Sequence, residues 1–99
     1  MKGKYAVIFA STKHNANEEY QKRDAQLMEL AKKEPGFLGY ETLANDDKSI
    51  FISYWESKEA VEFWRNNIKH IQAKQDVSQW YSRYLSQICL VESSHEWTL

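Results

Sequence analysis

Cysteine, proline and glycine are scarce in this sequence, and each scarcity removes a class of protein. Cys89 stands alone, so an internal disulfide is impossible and a reducing, cytoplasmic setting is expected. The glycines are Gly3, Gly36 and Gly39, and they form no phosphate-cradling loop, which excludes nucleotide or flavin binding by a Rossmann-type element. No run approaches the roughly eighteen apolar residues of a membrane span, and the N-terminus lacks the unbroken apolar stretch of a secretory signal. A soluble chain is expected, with no membrane partner. Charge of one sign is missing too: thirteen basic and fourteen acidic residues are interspersed, for a net charge of −1. Without a broad electropositive face to neutralise phosphates, nucleic acid is not an expected partner. His14, His70 and His95 share no metal-ligand spacing, so no metal site is expected. Ser-His-acid catalysis lacks a nucleophile-elbow pattern.

Aromatic residues are what the chain has in quantity: 14% of its 99 residues, including four Trp and six Tyr. Such rings bury large areas and, in Tyr and Trp, carry a polar tip that seeks a partner. They suit a pocket for a flat ligand, and equally an ordinary core or a subunit interface. The length suffices for a single domain over residues 1–99, although a chain this short buries a smaller share of its surface than a large one.

Residues Lys4 to Lys13 alternate Tyr5, Val7 and Phe9 with Ala6, Ile8 and Ala10, which predicts a strand that is apolar on both sides. Asn15 or Asn17 can cap a following helix whose first turn carries Glu18 and Glu19, matching the positive end of its dipole. Its predicted buried stripe is Tyr20, Leu27, Met28, Leu30 and Ala31, and Pro35-Gly36 stops it after about Lys33. Phe37–Leu43 and Ser49–Trp55 read as an antiparallel hairpin around the polar turn Asn45-Asp46-Asp47-Lys48. Ser57 is the expected N-cap of a second helix carrying Ala60, Val61, Phe63, Trp64 and Ile68. From Lys69 the pattern is polar and reads as a loop, then a short helix through Val77, Trp80 and Tyr81; Tyr84 to Glu92 reads as the last strand.

The resulting order, β-α-β-β-α-β, predicts an α+β ferredoxin-like fold. Right-handed crossovers put both helices on one face of a four-stranded antiparallel sheet. The other face is then bare, yet strands one and three are apolar on both sides. A continuous apolar face of that size exceeds what soluble monomers expose, and a second copy is the simplest cover. A face-to-face homodimer is expected.

His70 is the residue with chemistry to offer, because an imidazole titrates near neutral pH and can accept a proton from a phenol or enol. The plainer reading is a histidine near a helix end, where positive charge is welcome. Trp64 lies six residues earlier, and the two converge only if the helix breaks near Asn66-Asn67. Packing in the core is the default for Trp64, Phe63 and Trp55. Tyr40, Tyr81 and Tyr84 can donate to a ligand or satisfy a buried carbonyl. Cys89 falls inside a strand, the usual place of an inert core thiol.

The segments Glu34-Pro35-Gly36-Phe37-Leu38-Gly39-Tyr40-Glu41, Tyr54-Trp55-Glu56-Ser57-Lys58-Glu59-Ala60, Phe63-Trp64-Arg65, His70, and Trp80-Tyr81 with Tyr84 together resemble the antibiotic biosynthesis monooxygenase family. The resemblance implies a dimeric α+β barrel with a pocket for a flat aromatic or quinol-like molecule in each subunit. It also implies oxygenation with dioxygen and neither metal nor flavin, since a deprotonated substrate is electron-rich enough to reduce oxygen itself. His70 then serves proton transfer or anion stabilisation and Trp64 positions the ring. Tyr40, Trp55 and Tyr81 line the cavity. A related branch of the family degrades haem. Trp64 could match its porphyrin-distorting tryptophan, but the expected histidine is replaced around Lys74 and strand one has no asparagine between Tyr5 and Ser11. A protonated lysine is a poor iron ligand, so haem is the lesser expectation. The remaining alternative is a noncatalytic dimer that binds a small aromatic molecule in a stress response.

Overall fold

The computed structural model describes residues 1–14, 18–72 and 80–99, with backbone alone at 69–72. Six elements follow in the expected order: β1 Tyr5–Lys13, α1 Glu18–Lys32, β2 Phe37–Asn45, β3 Lys48–Trp55, α2 Lys58–Gln72 and β4 Tyr81–Leu90. The strands form one antiparallel sheet in the order β2-β3-β1-β4. The fold is therefore ferredoxin-like, α+β.

Local chemistry explains most element ends. Ser57 Oγ accepts the Ala60 N–H at 3.1 Å, which satisfies one of the orphan donors at the start of α2 and is worth about 1 kcal/mol. The candidate caps of α1, Asn15 and Asn17, lie outside the described residues. The β2–β3 hairpin closes through Asp46 and Asp47, with Asp46 at φ 55°, a left-handed conformation that aspartate tolerates better than most side chains. After α1, Gly36 turns the chain at φ +86° and its Cα lies where an added Cβ would come within 2.7 Å of Ala60 Cβ. Glycine thus permits both the turn and the close approach of α2.

Directly paired residues share a sheet face, which fixes the two sides. Tyr5, Trp55 and Phe37 stand in one row, and Trp55, Val61, Trp64 and Ala31 form the centre of the core with Tyr5, Val7, Leu30 and Phe37 around it. Both helices therefore pack on the Tyr5–Val7–Phe9 side of β1. Trp55 is fully buried, edge-on to Phe37 at 5.4 Å and stacked on Trp64 at 5.9 Å, and its Nε1 donates to Ser53 Oγ at 2.9 Å. The α1 stripe differs from the expected one: Tyr20, Arg23 and Ala31 are buried, whereas Leu27, Met28 and Leu30 are half-buried.

The opposite face carries Ile8, Ile50, Ile52, Leu43 and Leu85 in adjacent rows. Among the described residues no helix covers it, and Leu43 is 75% and Ile50 48% exposed. Cys89 pairs with Ala6 on this side and is half-buried, so it belongs to the open face and not to the core. On the helix side the cover stops short of β4, where Tyr84, Ile88 and Leu90 are exposed.

Two irregularities in the sheet were not legible as spacing. Between Phe37 and Gly39 the register shifts, leaving Leu38 as an extra residue, with Gly39 at φ +147°. Between Thr12 and Lys13 it shifts again: Thr12 pairs with Arg83 but Lys13 with Tyr81, so Ser82 is extra. Such bulges re-aim the side chains beyond them. The second corrects the expected ending of the chain, because Tyr81 opens β4 instead of lying in a short helix, and β4 ends at Leu90 instead of Glu92. No helix among the described residues is long and apolar enough to cross a membrane.

Candidate functional site

A cavity of about 430 Å³ opens between α1 and the sheet, within the usual size of small-molecule sites. Its helical wall carries Tyr20, Asp24 and Met28, spaced four residues apart and hence on one face of α1. Its floor is Tyr40 and Thr42 from β2 and Phe51 from β3, and Lys13 closes one end from the tip of β1. The floor is largely aromatic: Tyr40 and Phe51 lie 5.7 Å apart with their planes 20° from parallel. Tyr40 is displayed toward α1 because Leu38 is extra; it pairs with Ser53, on the helix side.

The Lys13 end has a built structure. Lys13 N–H donates to the Asp47 carbonyl at 2.7 Å, which ties the end of β1 to the hairpin turn. Its ammonium stands 5.8 Å from the Tyr20 ring centre, a cation–π distance. Because Ser82 is extra, Tyr81 returns to the helix side and meets Tyr20 at 5.8 Å, Phe9 at 5.7 Å and Tyr84 at 6.1 Å. Trp80, almost wholly buried, packs edge-on to Tyr20 at 5.8 Å, and the Arg23 guanidinium lies 5.4 Å over its ring. The indole Nε1 of Trp80 is buried and has no acceptor among the described residues.

These surroundings set the protonation of the polar groups. Burial pushes the Tyr20 hydroxyl far above the ordinary tyrosine range, its hydrogen bond with Tyr81 and the negative charge of Asp24 add to this, and Arg23 opposes it. Tyr20 therefore remains a neutral hydroxyl at physiological pH. Burial also raises the Asp24 carboxyl above its usual value, against the pull of Arg23 and Lys13. Across the sheet, the Tyr54 hydroxyl donates to Glu41 Oε2 at 2.8 Å, and that bond, with burial second, raises its pKa.

The residues singled out by sequence are distributed between this cavity and the core. Tyr40 lines the cavity. Tyr81 reaches its end through contact with Tyr20. Trp55 and Trp64 stack on each other inside the core, and Trp55 is not among the residues lining the cavity. His70 sits in the last turn of α2, with its side chain outside the described residues, as are Lys74 and Val77. The helix continues unbroken through Asn66 and Asn67, so the backbone positions of Trp64 and His70 are separated by about 120° around its axis. Asn67 instead donates to Glu34 Oε1 at 2.8 Å, which ties α2 to the turn after α1. Sequence reasoning did not single out Lys13, Asp24 or Phe51; the one signal available was the four-residue spacing of Tyr20, Asp24 and Met28. Among the described residues no cluster of His, Cys, Asp or Glu could hold a metal ion.

Known proteins share this architecture. SnoaB, a cofactor-independent oxygenase from Streptomyces nogalater, superposes with a TM-score of 0.75 over 93% of this chain and 96% of its own, at 15% identity. Rv0793 from Mycobacterium tuberculosis gives 0.77 over 94% and 99%, at 13% identity. At such identities the likeness is one of fold. In sequence, the chain is 37% identical over 90 residues to the uncharacterized protein YqjZ of Bacillus subtilis, covering 89% of this chain and 79% of that protein. The family model described as antibiotic biosynthesis monooxygenase matches residues 5–76, a span that contains β1 through α2 and every residue lining the cavity. With fold, order of elements and sequence in agreement, the chain belongs to the antibiotic biosynthesis monooxygenase family.

Proposed function

We propose that the protein is a cofactor-independent monooxygenase of a small aromatic or quinol-like substrate, and that it works as a homodimer joined through the helix-free sheet face. The observation that carries the reading is the cavity between α1 and the sheet, floored by Tyr40 and Phe51, in a fold that a cofactor-independent oxygenase shares. A flat ring stacks on that floor at little entropic cost, because the rings are already held. Removal of a proton then makes the substrate an electron donor to dioxygen. For an activated methylene beside an aromatic ring, the balance is CH2 plus O2 giving C=O plus H2O: both C–H bonds break, their four electrons reduce one oxygen atom to the carbonyl and the other to water, and both protons end in that water.

His70, in the last turn of α2, is the proposed proton acceptor, with Tyr40 and Tyr81 as the aromatic surround; Trp64 and Trp55, stacked in the core outside the cavity lining, are proposed to act by holding α2 on the sheet and not by touching the ring. The dimer is supported by the rows of Ile8, Ile50, Ile52, Leu43 and Leu85 on the open face, an apolar surface that water does not favour. The test is oxygen uptake by purified protein with 1,8-dihydroxyanthrone, followed by electrode against the rate of autoxidation. One O2 consumed per substrate, with uptake lost in His70→Ala, is expected. Uptake no faster than with heat-denatured protein would overturn the reading.

A further inference from the structure

We infer that the two copies of the homodimer meet in one register: the twofold axis crosses the strands over the row Leu43, Ile50, Ala10 and Leu85, and Glu41 of each copy forms an ion pair with Lys48 of the partner subunit. This register rests on the reading that the helix-free sheet face is the dimer interface, and it adds which part of that face meets which and the charges that fix the match.

Strand pairing lays the face out in rows. Glu41, Ile52, Ile8 and Gln87 make one; Leu43, Ile50, Ala10 and Leu85 make the next; Asn45, Lys48, Thr12 and Arg83 follow. The middle row is wholly apolar, and its Leu43, Ile50 and Leu85 are all exposed, so it gains most from cover. The rows on either side carry opposite charge. Lys4, just before β1, is already paired with Glu56, whereas Glu41, Lys48 and Arg83 have no ion-pair partner among the described residues. Glu41 is also held in place: the Tyr54 hydroxyl donates to its Oε2 at 2.8 Å, which leaves Oε1 to meet a cation.

Twofold symmetry allows few ways to stack two such faces, and charge decides among them. An axis along the strands sets each row against itself with the strand order reversed, so Glu41 meets Gln87, Lys48 meets Thr12, and no opposite charges come together. An axis along the Glu41 row brings Glu41 against its own counterpart, and one along the Lys48 row does the same for Lys48. An axis midway between the Glu41 and Leu43 rows presses Glu41 onto Leu43 of the partner subunit, away from water and without a counter-charge. Only an axis along the apolar row sets leucine and isoleucine against their counterparts while placing the acidic row over the basic one. Glu41 then lies over Asn45 and the adjacent Lys48 of the partner subunit, and Gln87 over Arg83 of the partner subunit. Aligned sheets cross at about 30°, which shifts the edge strands by about 4 Å, within the reach of a lysine side chain.

The experiment is sedimentation equilibrium of the full chain at low and high salt. It compares wild type, Glu41→Lys, Lys48→Glu, the double variant and an equimolar mixture of the two single variants, each checked by circular dichroism. Each single reversal sets like charges together twice in the symmetric dimer and weakens it roughly tenfold at low salt, and less at high salt. The mixture regains tight association, because a dimer with one copy of each variant again has opposite charges at both contacts; the double variant regains it for the same reason. Glu41→Gln, Lys48→Gln and their combination give the same coupling in milder form if a reversal folds poorly. A mixture no tighter than its components, or a double variant as weak as the two losses added, overturns the register and leaves the interface standing. A wild type that stays monomeric at every concentration removes the interface and the register together.

Discussion

Gly36→Ala isolates one contact on which the position of α2 depends. The new Cβ would lie 2.7 Å from Ala60 Cβ and 3.6 Å from Glu56 Cβ, where carbon atoms ordinarily approach to about 3.5 to 4.0 Å. Neither Cβ can rotate away, since both are fixed to backbone, so α2 or the turn has to move. Overpacking of this kind costs about 1 to 3 kcal/mol. Holding alanine at φ +86° adds about 1 to 2 kcal/mol, and the stiffer unfolded chain returns about 0.4 to 1 kcal/mol. The expected net loss is about 2 to 4 kcal/mol, read as a lower midpoint at unchanged slope in urea denaturation at one fixed chain concentration. Ala60→Gly alone loses about 1 kcal/mol of helix propensity, but combined with Gly36→Ala it removes the collision. The double variant should therefore be more stable than the two single losses predict, by about 1 to 3 kcal/mol. Strict additivity, or a Gly36→Ala loss below about 0.5 kcal/mol, would refute the account of the turn.

Three further outcomes follow from the geometry. Ile50→Asp places a charge in the middle of the open face, beside Leu43 and Ala10, and should convert a dimer into a folded monomer by sedimentation velocity; unchanged sedimentation would remove that face as the interface. Asp24→Asn should raise the melting temperature at pH 7, because the wild-type carboxyl is held above its unfolded value by burial. A raised carboxyl gives its full stability below the unfolded value of about 3.9 and loses it as pH rises through the folded one. The advantage of asparagine is thus expected to vanish at pH 3, and a gap of equal size at both pH values would contradict it. Ser57→Ala removes the acceptor of the Ala60 N–H and should cost about 1 kcal/mol, with loss of helical ellipticity no larger than the fraying of α2.

The sequence made some of these features visible and hid others for a definable reason. The alternation along β1 and β3, the hairpin turn and the Ser57 cap depend on neighbours within a few residues, and each stands where periodicity and turn chemistry put it. The same alternation predicted apolar residues on both faces of the sheet, and the structure carries them on both. The bulges at Leu38 and Ser82 depend on how two distant strands slip past each other, which no local pattern reports. Tyr81 was misassigned to a helix for that reason: its position is set by pairing with Lys13, sixty-eight residues earlier. Aromatic content pointed toward a ring-binding surface, but the residues that face one another across the cavity come from four elements.

The two ends of the helix layer are filled differently, and this asymmetry places the cavity. Near Tyr5 the sheet rows carry Phe37 and Trp55, and Trp64 from α2 stacks on Trp55, so that end is solid. Toward Lys13 the rows carry Thr42 and Phe51, then Ser11 and Ser49, whose hydroxyls bond to each other at 3.0 Å. Small side chains there cannot fill the space below α1, and the helix is held off by Tyr20 resting on Trp80 and Tyr81. A void remains because large side chains hold the helix up, whereas Thr42 beside the flat Tyr40–Phe51 pair, and Ser11 and Ser49 beyond it, do not rise to meet it. Enlarging the floor, as in Thr42→Leu, should therefore shrink the cavity and weaken binding of a naphthoate while leaving the Trp55–Trp64 stack and its near-ultraviolet dichroism intact. Loss of both together would mean that the two ends form one packed unit and that the cavity is not set by this difference in filling.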